Sequence, residues 1–270
     1  MNYIVEIITS RQNPKVKNIN LLQKHSERQT QNLFVLEGIK EIEKAVKAGY
    51  QFDSVFFLPK LIDKIALSLL FNNKWPKQIF EVNADVYEKI AYRENSGGIV
   101  ALARPNLHTI DLLEITKKPL FLVIESVEKP GNLGAIYRTA DAAGIDAIII
   151  CDPKTDLYNP NAIRASLGCV FTVPTVLTTS SEAINWLKNQ KIEIFCTYLK
   201  ASVPYHTIDY THSSAIVMGT EATGISQIWV DAADANIIIP MRGYADSMNV
   251  STSAAVLIFE ACRQRGFKTI

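Results

Sequence analysis

The sequence predicts an α/β fold in two modules, and three observations carry that reading. Continuous aliphatic runs such as Ala147-Ile148-Ile149-Ile150 and Asn236-Ile237-Ile238-Ile239 suit strands covered on both faces, hence a parallel sheet under helices. Strand-like and helix-like stretches alternate along the chain. Pro105 to Lys118 mixes Pro, Asn, His, Thr and charge. That composition sets a first module at residues 1–106, a linker at 107–118 and a second module at 119–270.

In the first module, Asn13-Pro14 opens a basic helical stretch through Lys15, Lys17, Leu21, Leu22 and Lys24. A strand follows at Phe34–Leu36, then a helix from Ile39 to Ala48 closed by Gly49. Ser54–Leu58 reads as a strand, Leu61–Phe71 as a helix, Ile79–Val82 as a strand, Asp85–Ala91 as a helix and Gly98–Ala103 as a strand. The linker has a possible helical turn around Leu112. The second module begins with a buried-type strand at Leu120–Ile124, a helix at Leu133–Ala143, a strand at Ala147–Cys151 and a helix from Asn161. Further strands are expected at Val173–Val176, Ile192–Thr197, Ala215–Met218 and Ile237–Ile239, with a closing helix from about Asn249 to Arg265.

At 270 residues, 48% hydrophobic and 20% charged, the chain has the composition of a soluble globular protein with a real core. No run approaches the ~18 apolar residues of a membrane span. Met1–Ile8 is briefly apolar but carries Glu6 and no basic leader, so it does not read as a signal peptide. Cys151, Cys169, Cys196 and Cys262 are scattered, which speaks against a zinc site or disulfide framework and fits a reducing cytosol. Residues 1–106 hold 15 basic against 11 acidic residues, and residues 107–270 hold 13 against 16. The first module is therefore the better candidate for meeting a polyanion, although many solvated helices carry as much charge.

Familiar cofactor devices are missing from the sequence: no G-x-G-x-x-G, no phosphate loop, no H-E-x-x-H and no G-x-S-x-G. Three other segments carry the chemistry. Glu128–Gly144, EKPGNLGAIYRTADAAG, is a strand-to-helix turn with Asn132 near the N-cap. Arg138 lies six residues beyond it, where a planar guanidinium suits a bidentate grip on phosphate. A surface pair with Asp141 at i,i+3 is the alternative. Ile216–Ser226, IVMGTEATGIS, carries a strand into Gly219, where a backbone can approach a ligand closely. Glu221 there is either a ligand-binding acid or a helix-initiating one. Ile237–Ala255, IIIPMRGYADSMNVSTSAA, stops a strand at Pro240 and starts a helix at Asn249 or Val250. N-capping alone explains Asn249 and Ser251, yet the helix start also offers N–H groups to a ligand carboxylate.

Taken in order, N-x-G-x-I-x-R-T-A-x-A-x-G, M-G-x-E-x-x-G and I-P-M-x-G-x-x-x-S-x-N-V-S resemble the three motifs of the SpoU (TrmH-like) branch of the SPOUT RNA methyltransferases. The S-R-x-N-P-x-V-K opening, the F-V-L-E-G segment and the S-G-G-I-V-A strand resemble that family's substrate-binding domain. Met248 departs from the Leu common before Asn-Val-Ser, a swap that conserves volume.

The resemblance implies a catalytic domain with a deep trefoil knot, an exception to the rule that folds avoid threading. It implies S-adenosylmethionine held around Thr197, Gly219, Ile239, Met241 and Met248, and no metal. It implies methylation of a ribose 2′-hydroxyl, with Arg138 as candidate base or electrostatic group and with Asn132, Glu221 and Asn249 shaping the ribose pocket. A homodimer with the site near the subunit interface is implied, as is an RNA substrate, ribosomal before transfer RNA. The basic first module would deliver that RNA through Arg11, Lys15, Lys17 and Lys24 as phosphate contacts. The alternative of another class is a non-catalytic RNA- or ribosome-binding protein that has kept the fold.

Overall fold

The structure, a computed structural model, describes residues 4–72, 75–92, 97–106, 108–200, 202–220 and 223–267. In chain order the first elements are β1 (Val5–Ile8), α1 (Pro14–Leu21), α2 (His25–Gln31), β2 (Phe34–Glu37), α3 (Ile39–Lys47) and β3 (Phe52–Phe57). Next come α4 (Lys64–Leu70), β4 (Gln78–Val82), α5 (Ala84–Ile90) and β5 (Ile99–Ala103). After a short turn at Ile110–Leu112 follow β6 (Leu120–Glu125), α6 (Pro130–Ala143), β7 (Ala147–Cys151), α7 (Pro160–Ala165) and β8 (Thr175–Thr178). The rest is α8 (Ser180–Asn189), β9 (Glu193–Thr197), β10 (Val203–Pro204), β11 (Ser214–Met218), α9 (Gln227–Ala232), β12 (Ala235–Ile238) and α10 (Val250–Gln264).

The chain forms two compact units. The first comprises Met1–Leu107 together with Asp156–Thr172. Its described strands form a sheet in the order β1-β4-β3-β5-β2, parallel from β1 to β3 and antiparallel from β3 to β2. Helix α1 starts as its sequence dictates: the Asn13 side chain accepts the Lys15 N–H and Pro14 occupies the first helical position. Val16, Ile19 and Leu22 then pack with Phe56, Phe80, Val86 and Ile90 in one core. The Asp156–Thr172 segment joins this unit through chemistry, not periodicity. Buried Arg28 donates to Asp156 at 2.6 Å and to the Leu22 and Gln23 carbonyls at 2.8 Å. Tyr158 and Phe171 stack on Phe34.

The second unit comprises His108–Thr155 and Val173–Ile270. Its sheet runs β10-β12-β9-β11-β6-β7-β8, every neighbouring pair parallel. On one face Phe121, Val123, Ile149, Val217 and Ile194 pack with Ala183 and Leu187 of α8 and Trp229 of α9. Strand alternation turns the intervening residues, buried Leu122, Ile124, Ile148 and Ile216, to the other face. Helices α6 and α10 pack against each other there and reach β7 and β11.

Several element boundaries differ from the sequence-based expectations. Helix α6 begins at Pro130, not Leu133, because proline is preset for a first helical turn and has no N–H to lose. Helix α4 begins three residues late because Asp63 caps it, its side chain accepting the Ala66 N–H. Strand β1 occupies what reads only as a short apolar start, and α8 carries a Thr179/Glu182 capping box that periodicity overlooks. No helix among the described residues is long and apolar enough to cross a membrane.

Arg265, at the C-cap of α10, fastens the second unit's end to its beginning. Its guanidinium donates to the carbonyls of Lys118, Pro119, Tyr210 and His212 at 2.5–3.2 Å. Gln264 adds a bond to the Ile208 carbonyl and accepts the Tyr210 N–H. Arg265→Met should lower unfolding free energy by roughly 2–4 kcal/mol, since partly buried carbonyls lose charged donors. Urea denaturation should show a lower midpoint at unchanged slope; an unchanged midpoint would mean that the carbonyls find other partners.

Candidate functional site

In an open parallel sheet, ligands bind beyond the carboxyl ends of the strands, where neighbouring connections part. Here a cleft of about 200 Å³ lies beyond β6 and β11, lined by Val127, Glu128, Lys129, Asn132, Gly219, Thr220 and Val250. Helices α6 and α10 both begin at this cleft, and helix starts present N–H groups suited to an anion. Space is open beside Gly131, where an added Cβ would meet nothing within 4 Å.

The wall after β11 is made by backbone. Thr220 and Gly224 exchange N–H···O bonds of 2.9 and 3.1 Å, and Gly224 takes a left-handed φ of +70°. A Cβ on Gly219 would lie 2.2 Å from the Gly224 carbonyl, so no residue but glycine closes this loop without displacement. Thr220 and Thr223 hydroxyls bond at 2.7 Å and secure the turn further. Glu221 lies outside the described residues.

Asn249 caps α10, its Oδ1 accepting the Ser251 N–H at 2.9 Å and the Ser251 hydroxyl at 2.6 Å. Its Nδ2 donates to Asn132 Oδ1 at 3.1 Å. Capping and site-building are thus one arrangement, because the same amide ties the starts of α6 and α10 together. Of the residues singled out in the sequence, this region assembles Asn132, Gly219 and Asn249.

The others lie apart. Arg138 is exposed on α6, about 9 Å along the axis from Asn132 and turned roughly 120° away around the helix. Thr197 ends β9 and donates from its hydroxyl to the Val217 carbonyl at 3.0 Å. Ile239 follows β12 directly, and Met241 and Met248 are half-buried in the connection to α10; none of these four lines the cleft among the described residues. In the first unit, the Arg11 guanidinium lies 2.8 Å from Asp85 and 2.7 Å from Glu88, and Lys15 donates to Gln78 while lying over the Phe80 ring. Lys17 and Lys24 are exposed.

Sequence reading missed Val127, Glu128, Lys129, Thr220 and Val250 as cleft residues, although each sits within or one residue outside the three segments. It also missed Glu125. This buried carboxylate at the end of β6 accepts the Ser226 N–H at 2.7 Å. Nucleophilic cysteine chemistry has no support: burial first, then the Asp152 and Glu125 carboxylates, push the Cys151 thiol far up, and burial does the same to Cys196. Among the described residues no cluster of His, Cys, Asp and Glu suits a metal ion.

A family model described as the SpoU rRNA Methylase family matches residues 119–259, and one described as the MRM3-like substrate binding domain matches residues 13–101. The 23S rRNA (guanosine(2553)-2′-O)-methyltransferase RlmP of Bacillus subtilis is 29% identical over 93% of this chain and 97% of its own. A crystal structure of an RNA 2′-O ribose methyltransferase superposes with a TM-score of 0.81 at 36% identity, covering 96% of this chain and 99% of that one. The AdoMet-bound rRNA methyltransferase of Sinorhizobium meliloti does so with 0.88 at 30% identity, covering 96% and 98%. With one family model spanning more than half of its length, this chain belongs to the SpoU rRNA methylase family.

Proposed function

We propose that this chain transfers a methyl group from S-adenosylmethionine to a ribose 2′-hydroxyl of ribosomal RNA. The observation that carries this reading is the Asn132–Asn249 amide pair beside the Gly219–Gly224 closure, at the carboxyl ends of a parallel sheet. Relatives alike over nearly the whole chain are named for 23S rRNA, which favours ribosomal over transfer RNA. Residues 1–106, joined by Asp156–Thr172, serve as the RNA-binding module, 107–118 as linker and the remainder of 119–270 as catalytic domain. The parallel sheet order and the return of α10 onto α6 support a trefoil-knotted path.

The cofactor fits the cleft's chemistry. Val127, Val250 and the side-chain-free Gly219 offer apolar and backbone walls, and the starts of two helices suit its carboxylate. Thr197, Ile239, Met241 and Met248, outside the cleft lining, flank the cofactor from the ends of β9 and β12 and the connection to α10, and Glu221 contributes beside the ribose. S-adenosylmethionine supplies a methyl already activated on a sulfonium. The chain's own task is alignment, worth roughly 7–11 kcal/mol when reacting groups are held in line, and management of the hydroxyl proton. Asn132 and Asn249 orient the ribose. Arg138, turned away from its own chain's cleft, serves the site of a second subunit in a homodimer. A guanidinium is a permanent cation, so electrostatic positioning is its main role. The four free cysteines, all buried, suit work in the cytoplasm.

Arg138→Ala should reduce methylation at least about 100-fold while calorimetry finds cofactor affinity unchanged; full activity would remove Arg138 from the mechanism. Gly219→Ala should force the loop open and weaken cofactor binding at least about tenfold, and wild-type affinity would place the cofactor elsewhere. In the first module Lys17 and Lys24 are the exposed phosphate contacts, with Arg11 and Lys15 beside acidic and aromatic neighbours. Reversing Lys17 and Lys24 to Glu should weaken RNA binding and flatten the log–log salt dependence by about 1.5. An unaltered slope would mean that the RNA lies on another surface.

A further inference from the structure

Glu125 is costly where it stands. A carboxylate at 7% exposure, ending the interior strand β6, loses its hydration and must be repaid by specific partners. An apolar side chain of the same volume would pack there at lower cost. Oε2 accepts the Ser226 N–H at 2.7 Å, and Oε1 lies 3.3 Å from the Ser180 hydroxyl. Ser180 is itself held: it donates to Asp152 at 2.6 Å and accepts the Trp229 indole N–H at 3.0 Å.

This network joins the end of β6 to the far end of the loop that leaves β11. Two residues after Glu125, Val127 and then Glu128 line one wall of the cleft; Gly219 and Thr220, seven and six residues before Ser226, line the other. The loop's near end is closed by the Thr220–Gly224 pair, so fixing Ser226 fixes the height of the whole turn. We infer that Glu125 is a positioning residue that sets the separation of the two cofactor-cleft walls by anchoring the Ser226 amide. This rests on reading the cleft as the cofactor site.

The test uses the full chain with S-adenosylmethionine as the probe. E125M fills the same space without an acceptor. It should raise the cofactor Kd, and KM for cofactor, about tenfold or more, while KM for RNA and kcat at saturating cofactor stay close to wild type. In the cofactor-free protein its Ser226 amide should exchange with solvent faster. E125Q keeps a carbonyl for Ser226 and a donor for Ser180, so it should restore binding to within about threefold. E125D keeps the charge but withdraws it by one methylene, and it should weaken binding as E125M does, which provides the decisive variant if E125M does not fold. Wild-type affinity in folded E125M or E125D would overturn the positioning role. Wild-type protein without affinity for the cofactor would instead sink the reading of the cleft, and exchange at the Ser226 amide would still judge the role of Glu125.

Discussion

At Gly219 two stretches of backbone meet with no room for a single methyl group between them. Everything around the cleft is arranged to make that contact possible. The parallel sheet delivers β11 and β6 side by side with the same polarity, so their exits open on one edge. The loop after β11 folds back through paired amides, and Glu125 holds its far end. The cleft wall at Gly219 is therefore backbone, and that wall has no rotamers to reorganise.

The second constraint is the pairing of helix starts. Asn132 and Asn249 lie 117 positions apart in sequence, yet their amides bond. One arrangement therefore sets both helix N-termini at the same place, and the burial of α6 and α10 on a shared face of the sheet keeps them there. Arg265 closes the other end of α10 onto the start of β6 and the turn before β11. The termini of this helix are thus fixed by polar contacts, and its apolar face by Leu257, Ile258 and Ala261.

Much of this was legible in the sequence. Ala147–Cys151 and Leu120–Ile124 announce doubly covered strands because continuous aliphatic runs have no solvent face to satisfy. Gly219, Asn132 and Asn249 stand out because glycine and capping amides sit where strands end and helices begin. The rest was hidden for physical reasons. The Asp156–Thr172 segment packs with the first unit through Arg28–Asp156 and the Tyr158–Phe34 stack, contacts that no local pattern encodes. Helix α2, His25–Gln31, has almost no apolar periodicity and is held by the buried Arg28. Glu125 reads as the polar end of a strand, and its importance lies in an amide 101 residues away.

The methyl acceptor is a ribose oxygen. A 2′-O-methyl group blocks alkaline cleavage of the adjoining phosphodiester, because the neighbouring hydroxyl is the internal nucleophile. Ribosomal RNA should therefore be incubated with the chain and methyl-labelled S-adenosylmethionine, then hydrolysed in alkali. Label in alkali-resistant dinucleotides is the predicted result; label in mononucleotides, or none in the RNA, would contradict it.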